Sequence, residues 1–211
     1  MAARPLRIVI LAIVAFAAGL ILARALMPAR VAAPQTERAT VLPDARPLPA
    51  LALTNQDGGP LGPDFFARGW TIVFFGFTTC PDICPTTLAT LSKASRQLSD
   101  LPAAERPRVL LITVDPARDD PAKLAAYVRF FDPAFLAATG DTSSVAAAAS
   151  AFGVPFARVD LPGGGYTMDH GSGVFFVAPS GAIAAYSSAP HDAAVLARDY
   201  RKVVSAQGTR R

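Results

Sequence analysis

The chain has 211 residues, 52% of them hydrophobic and 17% charged, enough apolar material for one domain with a buried core. Its formal charge of +4 is an end effect: Arg4, Arg7 and Arg24 lie in residues 1–29 with no acid, leaving 17 basic against 16 acidic residues beyond. A nucleic-acid binder concentrates basic charge on its folded part, so this near-neutral remainder excludes that class. Residues 1–7 read as a short tail on the cytoplasmic or matrix side. Ile8 to Ala23 is an unbroken apolar run, which Leu26 and Met27 extend past Arg24. Taken as 8–27, it makes about 30 Å of helix, enough to cross a bilayer core, with Arg24 placed to snorkel to the headgroups. A cleaved signal peptide is the competing reading, with ARA (23–25) or VAA (31–33) as the processing site. Such peptides have apolar regions of only about 7–15 residues, so the run is read as a transmembrane anchor with everything after it outside the cytoplasm.

Residues 28–47 are proline-rich without apolar periodicity and read as an extended tether. A folded domain is expected over 48–205, with a flexible tail at 206–211. LALTN reads as a short strand and QDGG as a turn. WTIVFFGF (70–77) is β-branched and aromatic without alternation, the pattern of a strand buried on both faces. A cysteine loop follows, then a helix with Leu88, Leu91, Ala94 and Leu98 at helical spacing. RVLLITVD (108–115) is a second buried strand, and Asp120-Pro121 a helix start. FLAATG is strand-like, and DTSSVAAAASAFG is a helix ending at Gly153. VPFARVD and GSGVFFVAPSG are strands separated by the loop LPGGGYTMDH, SGAIAAY is a hairpin arm, and residues 191–207 form a last amphipathic helix. Strands alternating with helices, plus a late adjacent strand pair, indicate an α/β architecture with a mixed sheet. The triple glycine does not lead from a strand into a helix, as a nucleotide loop requires.

Both cysteines of the chain lie in GFTTCPDICPTTL, as Cys80 and Cys84. A disulfide closing so small a loop would stabilise little. A cysteine where a strand gives way to a helix N-terminus is favoured as the thiolate, which suits redox chemistry or metal binding. Three intervening residues keep the sulfurs within reach of a disulfide and open them enough to grip an ion. Thiolates select Cu(I) or zinc. A structural zinc site needs four protein ligands, and beyond the cysteines the chain offers only His170 and His191. Copper(I), which needs two or three, fits the count better. His170, in the loop before a buried strand, is the natural third ligand, and His191 reads as a surface residue beside a helix cap. Asp115 ends a buried strand at the cysteine edge, where it could orient a ligand or contact a partner. Asp169 could do the same for His170. Asp82 reads as a loop-shaping residue, and Asp119 and Asp120 as helix-start residues.

CPDICPTTL, then VDPARDDP, then YTMDHGSGVFFVAPSG, behind one N-terminal anchor, resemble the Sco/SenC family of copper-binding proteins. The resemblance covers roughly residues 48–205. It implies a thioredoxin-like fold: a central mixed β-sheet flanked by helices, here behind a single transmembrane helix. It also implies tethering to the bacterial inner membrane with the domain in the periplasm, or the mitochondrial equivalent facing the intermembrane space. One copper would be bound by Cys80, Cys84 and His170, with Asp115 in a supporting role. The implied partner is the copper-bearing subunit of cytochrome c oxidase, or another periplasmic copper protein, and the implied task is maturation of the oxidase's dinuclear copper centre. Gly171, Ser172 and Gly173 depart from the family's serine-led pattern. A thiol–disulfide oxidoreductase using Cys80 and Cys84, and a copper or redox sensor, are the alternatives on the same atoms.

Overall fold

The computed structural model describes residues 3–26, 34–42, 47–62 and 64–208. The remaining stretches of the expected tail, tether and C-terminus lie outside them. Two units are present, residues 1–32 and 33–211. The first contains helix α1 (Ala3–Leu26). Its described side chains, residues 9–24, are all exposed, among them Val9, Ile13, Phe16 and Leu20. That stretch is about 24 Å of helix, and among the described residues no helix is long and apolar enough to cross a membrane.

The second unit is organised around β3 (Thr71–Gly76), every residue of which is buried. The unalternating sequence of this strand matches its place at the centre of a seven-stranded sheet, covered on both faces. β3 pairs in parallel with β4 (Arg108–Thr113), which pairs in parallel with β5 (Leu136–Thr139). On its other side β3 runs antiparallel to β8 (Val174–Val177), and β8 to β9 (Ile183–Ser187). β1 (Ala39–Val41) and β2 (Thr54–Asn55) close the two ends, giving the order β1-β9-β8-β3-β4-β5-β2. Helices α2 (Ile83–Gln97), α3 (Pro121–Phe131), α4 (Thr142–Phe152) and α5 (Ala193–Gly208) pack their apolar sides on this sheet. The expected mixed sheet flanked by helices, in a thioredoxin-like arrangement, is present.

Local chemistry accounts for the helix ends. Asp120 accepts from the Lys123 N–H and precedes Pro121, and Asp141 accepts from the Ser144 N–H. Gly153 ends α4 at φ 69°, a left-handed turn that glycine enters without strain.

Three elements differ from the sequence expectation. Residues 39–41, assigned to the tether, form β1, because Asp199 of α5 reaches out to them. Its buried carboxylate accepts the backbone N–H groups of Glu37, Arg38 and Ala39 at 2.7, 2.8 and 2.9 Å. Residues 166–170, assigned to a loop, form β7 (Tyr166–His170), paired antiparallel with β6 (Phe156–Asp160) in a separate two-stranded sheet. Gly163, Gly164 and Gly165, all at positive φ, make its turn. Finally, α5 starts at Ala193 and ends at Gly208, against the helix expected over 191–207, and so takes in the first residues of the expected tail.

Candidate metal centre

Cys80 leaves β3 in a turn closed by its own N–H, which donates to the Phe77 carbonyl. Cys84 sits in the first turn of α2, where its N–H donates to the Cys80 sulfur at 3.4 Å. The loop holding Cys80 is pinned from below by Asp119, which is 0% exposed. Its carboxylate accepts the Thr78 N–H at 3.0 Å, the Thr78 hydroxyl at 2.5 Å and the Thr113 hydroxyl at 2.7 Å. Lys123 Nζ lies 3.6 Å away. Of the two aspartates read as helix-start residues, Asp120 caps α3 and Asp119 turns inward to brace the cysteine loop.

His170 arrives from the end of β7, in register with Phe156. Its Nε2 lies 3.5 Å from the Cys84 sulfur. Nδ1 lies 3.0 Å from the Gly171 carbonyl, which can only accept, so Nδ1 carries the proton and Nε2 keeps its lone pair. The ring sits edge-on to Phe74 and Phe77, with centroids 6.2 and 5.7 Å away. One ligand atom from each of Cys80, Cys84 and His170 lies within 4.8 Å of the others. A groove of about 220 Å³, lined by Cys80, Pro81, Ile83, Met168 and His170 among others, opens this cluster to solvent.

Burial, and then the neighbouring Cys80 sulfur, push the Cys84 thiol far above its usual range. Desolvation thus opposes the thiolate that the helix N-terminus favours at Cys84. The Cys84 S–H instead faces the Nε2 lone pair. Burial also lowers the pKa of His170, against smaller opposing effects of the Gly171 carbonyl and Asp169. A soft cation entering here would displace the thiol proton and take both sulfurs and the ready nitrogen.

Two glycines permit this packing. A Cβ on Gly76 would stand 3.0 Å from the Cys84 sulfur and 2.9 Å from Phe74 Cε1. A Cβ on Gly173 would stand 2.0 Å from Tyr186 Cε2, so the glycine-rich stretch after His170 exists where an aromatic ring lies on the backbone.

Of the supporting acids, Asp115 is buried and binds Arg118 and the Tyr166 hydroxyl. Asp169 is exposed and acts on His170 through its charge. Asp82 is exposed and accepts from the Thr86 hydroxyl at 3.3 Å. His191 is half-buried, and its Nε2–H donates to the Ser172 carbonyl at 2.8 Å, tying the segment after His170 to the start of α5. The cap of that helix is Asp192, which accepts from Ala194 and Val195. Arg118 and Tyr166 went unread in the sequence, and Asp119 and His191 were read there as a helix-start and a surface residue; the run TVDPARDD was the available signal for Arg118 and Asp119 alone.

A family model described as SCO1/SenC matches residues 44–205. The chain is 37% identical over 152 residues to a relative from Stutzerimonas stutzeri, covering 71% of this chain and 73% of that protein. It is 33% identical over 156 residues to "Protein SCO2 homolog, mitochondrial" of Mus musculus, covering 74% of this chain and 61% of that one. Among solved structures, Arabidopsis thaliana ScoI with copper bound superposes with TM-score 0.69 at 26% identity, covering 78% of this chain and 98% of that one. Yeast Sco1 with copper bound superposes with TM-score 0.65 at 29% identity, covering 76% and 86%.

Proposed function

This chain belongs to the SCO1/SenC family, and from that premise we propose that it is a membrane-anchored copper metallochaperone. One copper is held by Cys80, Cys84 and His170 and passed by ligand exchange to a partner during assembly of the dinuclear copper centre of cytochrome c oxidase. The observation that carries this reading is the cluster itself: two sulfurs and an imidazole nitrogen within 4.8 Å, with the nitrogen lone pair already turned toward the sulfur. The donor set is soft and three-membered, which fits Cu(I) and leaves a hard cation unsatisfied. The copper-bound state of the Arabidopsis and yeast relatives supports it.

The anchor is residues 8–27, supported by the apolar run and the exposed apolar side chains of α1. It holds the domain on the periplasmic side of a bacterial inner membrane, or the intermembrane-space side in mitochondria. The acceptor is the oxidase's copper-bearing subunit or another periplasmic copper protein.

The test is uptake of Cu(I) by the reduced protein, and by His170→Ala, measured by competition with a chelator. The expected result is about one equivalent bound by the parent protein and a much weaker affinity in the variant. No uptake by the parent would sink the proposal. Reduction of a partner disulfide that survives His170→Ala in the absence of metal would instead mark a thiol–disulfide oxidoreductase.

A further inference from the structure

The β6–β7 hairpin that carries His170 forms no ladder with the seven-stranded sheet, and a lone two-stranded ribbon is marginal in water. Among the described residues, its hydrogen bonds to the rest of the domain lie at two places. One is the contact between His170 and Cys84. The other, four residues earlier on β7, is Tyr166. Its hydroxyl donates to Asp115 Oδ1 at 2.9 Å, and its carbonyl accepts from Arg118 Nη1 at 2.9 Å. Arg118 also donates through Nε to Asp115 Oδ2 and lays its guanidinium 3.8 Å from the centre of the Tyr166 ring. Arg158 of β6 covers the same ring at 3.9 Å.

The anchoring side of this cluster is rigid. Asp115 is 2% exposed and lies two residues past the end of β4. Arg118 sits in the turn after it, with its N–H donating to the Asp115 carbonyl and its own carbonyl accepting from Lys123 Nζ at 2.9 Å. Among the described residues its Nη2 is buried and makes no hydrogen bond, so Nε and Nη1 carry its polar contacts. Tyr166 and His170, four positions apart, point to the same face of β7, about 13 Å apart along it. Whatever fixes Tyr166 against β4 therefore fixes the approach of His170 to the cysteines.

We infer that Asp115, Arg118 and Tyr166 form a latch that sets the position of the β7 strand, and that opening it withdraws His170 from the cysteine pair. They are positioning residues. A metal held by all three ligands would keep only two sulfurs when the latch opens, a state suited to transfer. The consequence for the metal rests on the ligand set proposed above; the latch itself does not.

The experiment measures amide hydrogen exchange in the full-length, reduced, metal-free protein, alongside Cu(I) competition and X-ray absorption. Tyr166→Phe deletes the hydroxyl and keeps the ring; Arg118→Lys keeps the charge and loses the fork. Each should speed exchange across residues 156–170 roughly tenfold, the equivalent of one net hydrogen bond, with β3 and β4 unchanged. Each should also weaken Cu(I) binding about 10- to 100-fold and diminish the imidazole signal at the metal while the sulfur signal stays. Unchanged hairpin exchange in both variants overturns the latch, and so does equal acceleration in β3 and β4. Faster hairpin exchange with unaltered copper ligation overturns its hold on His170. If the parent protein takes up no Cu(I), the metal reading fails and hairpin exchange still decides the latch.

Discussion

Cys84 and His170 stand 3.5 Å apart, yet the regions that deliver them are built on different terms. Cys84 is wholly buried at the start of a helix, its sulfur packed against Gly76 at the end of the central strand. Its surroundings are the domain's core, where a change of one methyl group is felt. His170 is half-buried and rides on a ribbon that pairs only with itself. The sulfur end of the site is thus a fixture of the fold. The nitrogen end is carried on a ribbon outside the main sheet, held by the polar contacts of Tyr166, by Phe156 and Met168 packed on the core, and by the rings of Phe74 and Phe77 against His170.

Substitutions on each side should separate these roles. The largest effect falls on the fixture: Cys84→Ser removes a soft ligand from the core, and the reduced protein should retain no measurable Cu(I) against a chelator. His170→Ala should lose at least about 100-fold, more than loss of a supporting residue usually costs, while still holding some metal on two sulfurs. Equal losses in the two variants would erase the distinction. Next in size is Gly76→Ala, whose added carbon meets both Phe74 and the Cys84 sulfur. Overpacking of this kind costs about 1–3 kcal/mol, read as a Tm lower by roughly 3–10 °C, with weaker copper binding in parallel. A variant as stable as the parent would show that the core around Cys84 yields more than its packing implies.

The smallest effect concerns pH. Burial and the Arg38 charge hold the pKa of His191 below its ordinary value, against the Ser172 carbonyl. The unfolded chain takes up this proton near pH 6.5, whereas the folded one resists it. Stability should therefore fall as pH drops below about 6.5 and level off once the folded histidine protonates. His191→Asn should flatten that slope in urea titrations without abolishing it, because His170 shifts in the same direction. An unchanged slope would show that His191 has no part in it.

How much of this was legible in sequence depended on whether the signal was local. β3, β4 and α2 announce themselves by apolar runs and helical spacing, and the CPDICP loop between them fixed where the sulfurs would lie. His170 was found because few other ligands existed. Its strand was missed: YTMDH alternates over only five residues, follows directly on three glycines, and was read with them as a loop, whereas pairing with β6 makes it a strand. Asp119 was misread because Asp-Asp-Pro is helix-start grammar, and local grammar cannot tell which of two adjacent carboxylates caps and which turns inward to Thr78 and Thr113. The grip of Asp199 on residues 37–39 spans about 160 positions, beyond any local pattern.

That grip has a consequence for the company the molecule keeps. Without β1 lying against it, β9 would present a row of unpaired backbone groups, a template on which a second chain could build. Asp199 folds the chain's own residues over that row, and the opposite margin ends in β2, only two residues long. One buried carboxylate thus leaves three-residue β1, and not the longer β9, as the margin of the sheet.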